Sequence, residues 1–273
     1  MTSWRYAESR PPGLSRYVDF LWHFQGPTEH RRKRILPNGK VELLVNLGEP
    51  YRTVEGHGIE TVKEGCVSGM QSGPMVLEQP PRQDVLGMRL RPAGAYALLA
   101  APLRETSGLV VGLEDVFGSS ARELVDRCHE APGVAERFRI LTGWIRRRIV
   151  EARVSTPEVA WSAARIDGTH GEVPILELRR ETGFSAARLA SLFREEIGLK
   201  PKLYARVVRF RRVLRMLQDG KAPLADVALD AAFYDQPHMT GEFRELSGMT
   251  PKEFLRARHP VGDGTTAADL RSA

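Results

Sequence analysis

The stretch that decides the fold is Gly183-Phe184-Ser185-Ala186-Ala187-Arg188-Leu189-Ala190-Ser191-Leu192-Phe193-Arg194-Glu195-Glu196-Ile197-Gly198-Leu199-Lys200-Pro201. Gly183 takes positive φ at little cost and suits a tight turn. Ser185 is a good N-cap, and Leu189, Leu192 and Phe193 then fall on one helix face at i, i+3, i+4. Gly198 closes that helix and Pro201 opens the next. Ahead of the turn, Ile175 to Thr182 reads as a shorter helix. Two helices joined by a short turn is the plan of a helix-turn-helix DNA reader.

The pattern is written twice. Phe193-Arg194, Gly198, Pro201 and Tyr204 recur 50 positions on as Phe243-Arg244, Gly248, Pro251 and Phe254. Ile175, Leu178 and Phe184 recur 49 positions on as Leu224, Val227 and Phe233, so copy two gained one residue between its aromatic anchors. In copy two, Leu224 to Ala231 is the first helix, Ala232 stands where copy one has the turn glycine, Asp235 caps, and Pro237 lies in the first turn. Left-handed geometry at Ala232 would cost about 1 kcal/mol. Such repetition points to a protein that reads two adjacent stretches of major groove.

The outward faces of the second helices carry the chemistry. Base-contact candidates are Ala187, Arg188, Ala190 and Ser191 in copy one, and Gln236, His238 and Thr240 in copy two, with Gly241 offering no side chain. Arg pairs bidentately with guanine and Gln with adenine, so Arg188 and Gln236 are the best direct readers, whereas Ala187, Ala190 and Thr240 offer a methyl contact or one hydrogen bond. Base readout is therefore modest and much affinity comes from phosphates. Phosphate candidates are Arg194, Lys200, Lys202, Arg206, Arg209, Arg212, Arg244 and Lys252. Lys200 to Arg215 holds Lys200, Lys202, Arg206, Arg209, Arg211, Arg212 and Arg215 and no acidic residue, unlike a solvated helix face of mixed sign. This helix joins the copies and is expected to set the readers about one DNA turn apart.

Residues from about 155 to 257 resemble the DNA-binding region of the AraC/XylS family of bacterial transcription regulators. The resemblance rests on Gly183-Phe184-Ser185, on Phe193-Arg194, Gly198, Pro201 and Tyr204, and on Phe233, Phe243-Arg244, Gly248, Pro251 and Phe254. It implies seven helices, two of them recognition helices starting near Ser185 and near Gln236. Where Ser191 and Gly241 stand here, the family often carries Arg or another long polar residue. It also implies a sensing or dimerising N-terminal domain, often a cupin-like barrel.

The rest of the chain fits that outline. Its 273 residues suggest two domains, and the net charge of +6 fits a polyanion partner. No run of about 18 apolar residues occurs, the start lacks a signal-peptide core, and Cys66 and Cys128 form no metal spacing. A bacterial cytoplasmic, nucleoid-associated protein without membrane contact is expected. The expected fold class is α+β: an N-terminal domain over 1–152, β-rich to 91 and helical over 92–151, then an all-α domain with two helix-turn-helix units over 155–258, and a disordered tail over 259–273. Tyr17 to Phe24, Lys40 to Leu47 and Asp84 to Arg91 read as strands. Ala93 to Leu103, Glu114 to His129 (with a break at Ser119-Ser120) and Val134 to Glu151 read as helices, and Thr156-Pro157 starts another.

In the first domain Trp4, Tyr6, Tyr17, Phe20, Trp22 and Phe24 either line a ligand pocket or fill the barrel, and filling is favoured. His23, His30 and His57 lack metal-site spacing, so no metal or cofactor is expected. Both cysteines read as buried thiols. Val134, Phe138, Leu141, Ile145 and Ile149 form a heptad-like stripe that suits a dimer seam or packing on the barrel equally. Arg146-Arg147-Arg148 reads as a solvated helix end. The function expected is transcription regulation without enzymatic activity. The expected partners are duplex DNA, a small-molecule effector, a second copy and, for an activator, RNA polymerase. The alternatives are an enzyme with a nucleic-acid anchor and an architectural DNA binder.

Overall fold

The computed structural model describes residues 4–28, 30–55, 57–58, 60–99, 101–149, 153–220, 222–257 and 266–268. Ten strands come first: β1 (Arg5–Ser9), β2 (Val18–Pro27), β3 (Arg32–Ile35), β4 (Val41–Asn46), β5 (Tyr51–Glu55), β6 (His57–Gly58), β7 (Thr61–Val62), β8 (Gly65–Ser68), β9 (Met75–Glu78) and β10 (Arg82–Leu90). Helix α1 (Pro92–Leu99), a 3-10 turn (Leu103–Glu105), strand β11 (Leu109–Gly112) and helices α2 (Leu113–Phe117), α3 (Ser119–Glu130) and α4 (Val134–Ile149) complete the first domain. Seven helices follow: α5 (Pro157–Gly168), α6 (Ile175–Thr182), α7 (Ala186–Glu196), α8 (Pro201–Asp219), α9 (Leu224–Asp230), α10 (Gln236–Ser247) and α11 (Pro251–Ala257), and then strand β12 (Thr266–Ala268). Among the described residues no helix is long and apolar enough to cross a membrane.

The strands form two sheets, β1-β2-β10-β4-β8-β11-β6 and β12-β3-β9-β5-β7. Period-2 alternation sorts the larger sheet. Leu21, Leu43, Val45, Val67, Leu86, Met88 and Leu90 bury against α1, α3 and α4, in a core that includes Tyr96, Leu124, Cys128, Leu141 and Ile145. Residues between them face the second sheet, where a smaller cluster of Tyr51, Val62, Cys66, Met75 and Val110 leaves space unfilled. A half-buried strap ties α4 to the larger sheet: Arg137 reaches Oδ1 of Asp84 at 3.4 Å, and His23 meets the same oxygen at 2.7 Å.

Several expectations are corrected. The helical stretch after residue 91 is interrupted by β11, which re-enters the larger sheet beside β8. The break expected at Ser119-Ser120 falls at Gly118, whose φ of 58° glycine tolerates. Of the two roles open to the stripe on α4, the structure takes packing on the barrel, with Leu141 and Ile145 buried and Phe138 and Ile149 packed on the same core. Thr266–Ala268 pairs with β3, so these three residues of the expected disordered tail are ordered, because an open strand edge offers them backbone partners. The rest of 259–273 lies outside the described residues.

Candidate nucleic-acid interface and effector cavity

Each reader is built by its own capping. Ser185 Oγ accepts from the Arg188 N–H at 3.2 Å and starts α7, and Asp235 Oδ1 accepts from the His238 N–H at 2.7 Å and starts α10. The preceding turns place Gly183 at φ 69° and Ala232 at φ 57°, the same left-handed geometry on different residues. Helix α7 buries Leu189, Leu192 and Phe193, exposes Ala186, Ala187, Arg188, Ser191 and Arg194, and leaves Ala190 half-buried. Helix α10 buries Met239, Phe243 and Leu246, exposes His238 and Gly241, and leaves Gln236 and Thr240 half-buried. The His238 ring stands edge-on to Phe233 at 5.3 Å. Beside it Tyr234 is 89% exposed, at the place where copy one has its capping Ser185. The repeat pattern includes Phe233-Tyr234 but gives this tyrosine no role, although an aromatic in a polar turn is a visible signal.

Helix α8 holds both readers. Its buried face carries Tyr204, Val207, Val208, Phe210, Val213, Leu214 and Leu217. Phe210 meets Phe243 of the second reader at 5.0 Å, and Tyr204 meets Phe193 of the first at 6.3 Å. Tyr204 also donates from its hydroxyl to Asp167 at 3.1 Å.

The second feature is a cavity of about 210 Å³ between the two sheets. Trp4, Tyr6, Phe20, Trp22 and Phe24 all line it, whereas Tyr17 packs on the main core. The expectation that these aromatics fill a core is overturned for the five. Sequence alternation shows that they share a face, but not that the facing sheet stands too far away to touch them. Trp22 lies flat on β10 where Gly87 leaves room, since a Cβ there would come within 2.1 Å of the indole. Arg89 donates to Oε1 of Glu42 from Nη2 at 2.6 Å and from Nε at 2.7 Å, and its guanidinium lies 4.8 Å from the Phe20 ring. Lys40, 8% exposed, also lines the cavity. Among the described residues its ammonium has no carboxylate within ion-pair distance. Burial holds its pKa below the ordinary lysine value, with Asp167 opposing and Arg211 assisting. Lys33, Lys40, Arg89 and Glu42 stand in its lining, with Arg89 paired to Glu42.

These features agree with comparisons to known proteins. Residues 178–257 match the family described as a helix-turn-helix domain, and residues 10–112 match a family described as a domain of unknown function. A protein of Streptomyces antibioticus named an AraC-like transcription regulator is 28% identical over 87 residues. The C-terminal region is a helix-turn-helix domain. The aligned part spans 32% of this chain and 28% of the Streptomyces protein. A structure of ToxT from Vibrio cholerae aligns with a TM-score of 0.50 at 8% identity, covering 93% of this chain and 98% of that one, and the likeness is one of fold. An AraC family transcriptional regulator from Rhodopseudomonas palustris aligns at 25% identity and TM-score 0.33, covering 37% of this chain and 96% of that one.

Within the helix-turn-helix domain the expected phosphate residues divide. Arg194, Lys200, Lys202, Arg244 and Lys252 are exposed and, among the described residues, make no ion pair. Arg206, Arg209 and Arg212 are partly buried and committed to the protein. Arg206 bridges Glu242 at 3.3 Å and Glu245 at 2.5 Å, while Arg209 faces Glu242 at 3.7 Å and lies 5.0 Å from the Phe233 ring. Arg212 pairs with Glu172 ahead of α6. These three brace the readers against α8 and are not free cations. Arg209 Nε and Glu242 Oε1 are too far apart for a hydrogen bond and, among the described residues, have no other hydrogen-bond partner, so attraction across this pair is coulombic.

Other expected chemistry is placed elsewhere. His23 faces α4, His30 lines the cavity, and the His57 side chain lies outside the described residues. Among the described residues no group of three or more His, Cys, Asp or Glu could hold a metal ion. Burial pushes the thiol pKa up to about 12 for Cys66 and about 11 for Cys128, so neither presents a thiolate near neutral pH. At the end of α4, Arg146 donates to the Pro12 carbonyl and Arg148 stacks on Trp144 and Phe117.

Proposed function

We propose that this chain is a bacterial transcription regulator that lays α7 and α10 into two consecutive major-groove segments of duplex DNA. The observation that carries the reading is two capped helices with exposed polar faces, braced on one linking helix and accompanied by unpaired exposed cations. Arg188 and Gln236 read bases, with His238 and Thr240 as lesser contacts and Ala187, Ala190 and Ser191 close to the groove floor. Arg194, Lys200, Lys202, Arg244 and Lys252 contact phosphates, and Tyr234 packs on the backbone.

The cavity of the first domain takes a small effector. Its aromatic walls suit a flat apolar body, and Lys33 and Arg89 in its lining suit an anionic group on it. An architectural binder has no use for such a cavity, and an enzyme needs converging catalytic groups. The protein works without catalysis in the cytoplasm on nucleoid DNA, as a homodimer or with RNA polymerase where it activates. Mapping bound genomic fragments with and without candidate aromatic acids tests this. A paired sequence motif whose occupancy changes with one acid supports the reading, and fragments without a common motif refute it.

A further inference from the structure

Gly198 and Gly248 occupy equivalent places in the two readers and end α7 and α10 with left-handed backbone, φ 96° and 73°. Both abut the first domain. A Cβ on Gly198 would stand 3.3 Å from the Leu103 carbonyl oxygen and 3.4 Å from Met70 Cβ. A Cβ on Gly248 would stand 2.9 Å from Arg34 Nη1 and 3.3 Å from Pro74 Cγ. The first domain thus touches both readers at the same point of the repeat. At α7 the contact is reinforced where Tyr96 of α1 donates to Glu195 at 3.5 Å.

At α10 the contact is Arg34, 1% exposed and the largest fully buried side chain described. Burying a guanidinium is costly unless partial negative charge meets it, and the carbonyl end of a helix supplies that charge. Its neighbours Lys33 and Ile35 line the cavity, so β3 separates the effector space from the end of α10. Helix α10 meets its surroundings at two places: near its middle, where Glu242 meets Arg206 and Arg209, and at its end, where Gly248 abuts Arg34. Two fixed places define the direction of an axis. A shift at Gly248 about the Glu242 brace swings Gln236 the other way.

We propose that Arg34 is a positioning residue for DNA recognition: acting from the first domain, it fixes the direction of α10 relative to α7 and so sets the half-site spacing that the two readers accept. This rests on the DNA-binding reading above. The test is selection of bound duplexes from a randomised library by the full chain and its Arg34→Met and Arg34→Lys variants, reading the spacing between the two enriched half-motifs. The wild type is expected to enrich one spacing. Arg34→Met is expected to lower the preference for that spacing over its neighbours roughly ten-fold, as a coupling of ordinary size gives. Arg34→Lys, which keeps a cation at the helix end, is expected to recover part of it.

A merely structural role would lower thermal stability and weaken every spacing alike. An unchanged spacing preference in a folded Arg34→Met overturns the inference while leaving the DNA-binding reading standing. A wild type that enriches no paired motif removes both. Should Arg34→Met not fold, Pro74→Ala trims the neighbouring contact at Gly248. Broadened spacing in that variant supports the inference, and unchanged spacing overturns it.

Discussion

The turn before α10 offers a sharp energetic test, because it repeats the geometry of the turn before α7 with a different residue. Gly183 has φ 69° and Ala232 has φ 57°. Left-handed backbone costs an L-residue about 1–2 kcal/mol, and a glycine introduced there loses about 0.4–1 kcal/mol through its freer unfolded chain. The Ala232 methyl is exposed, so its removal sacrifices little burial. Ala232→Gly is therefore expected to stabilise the protein by about 0.5–1 kcal/mol, which raises the melting temperature by roughly 1–4 °C for a chain of this size. The reciprocal change isolates the strain: a Cβ on Gly183 meets nothing within 4 Å, so Gly183→Ala pays backbone strain alone and is expected to destabilise by a similar amount. Urea unfolding of both variants and the wild type measures this. A neutral or destabilising Ala232→Gly, or a harmless Gly183→Ala, refutes the argument.

Other expectations follow from the placement of side chains. Arg188→Ala or Gln236→Ala is expected to relax preference at a few base pairs and cost about 1–3 kcal/mol, read by competition binding with mutated sites. Lys200→Ala and Lys202→Ala are each expected to weaken binding to all duplexes alike and to flatten the salt slope by about one. Arg209→Ala and Glu242→Gln act differently: each removes a partly buried brace, costs about 1–2 kcal/mol of stability in urea, and leaves the salt slope in place. Leu44→Trp, on the cavity wall, is expected to abolish any effector response while basal DNA binding persists, measured by anisotropy with and without the active acid.

The reader helices were legible in the sequence because their signals are local. Ser185 and Asp235 cap, Gly198 and Gly248 close, and apolar residues repeat at helical spacing, all within one short segment per copy. The ion pairs were not legible. Lys200 to Arg215 looks free of acids only along the chain; folding brings Glu172, Glu242 and Glu245 to it. The cavity was half-legible. Alternation put Phe20, Trp22 and Phe24 on one face, but the gap between the sheets depends on strands paired from distant segments. Strands β11 and β12 were missed because three or four residues carry too little pattern and depend on an edge formed elsewhere. Buried Arg34 reads as an ordinary exposed cation until the helix-turn-helix domain is placed against β3.

The central claim, two braced readers on one duplex, is tested most directly by the salt dependence of affinity of the full chain for its selected paired site and for a duplex keeping only one half-motif. The account predicts that log K falls linearly with log salt, by about 0.9 for each phosphate engaged, with a steeper fall on the paired site. A salt-independent affinity, or equal slopes and equal affinities on the two duplexes, would contradict it.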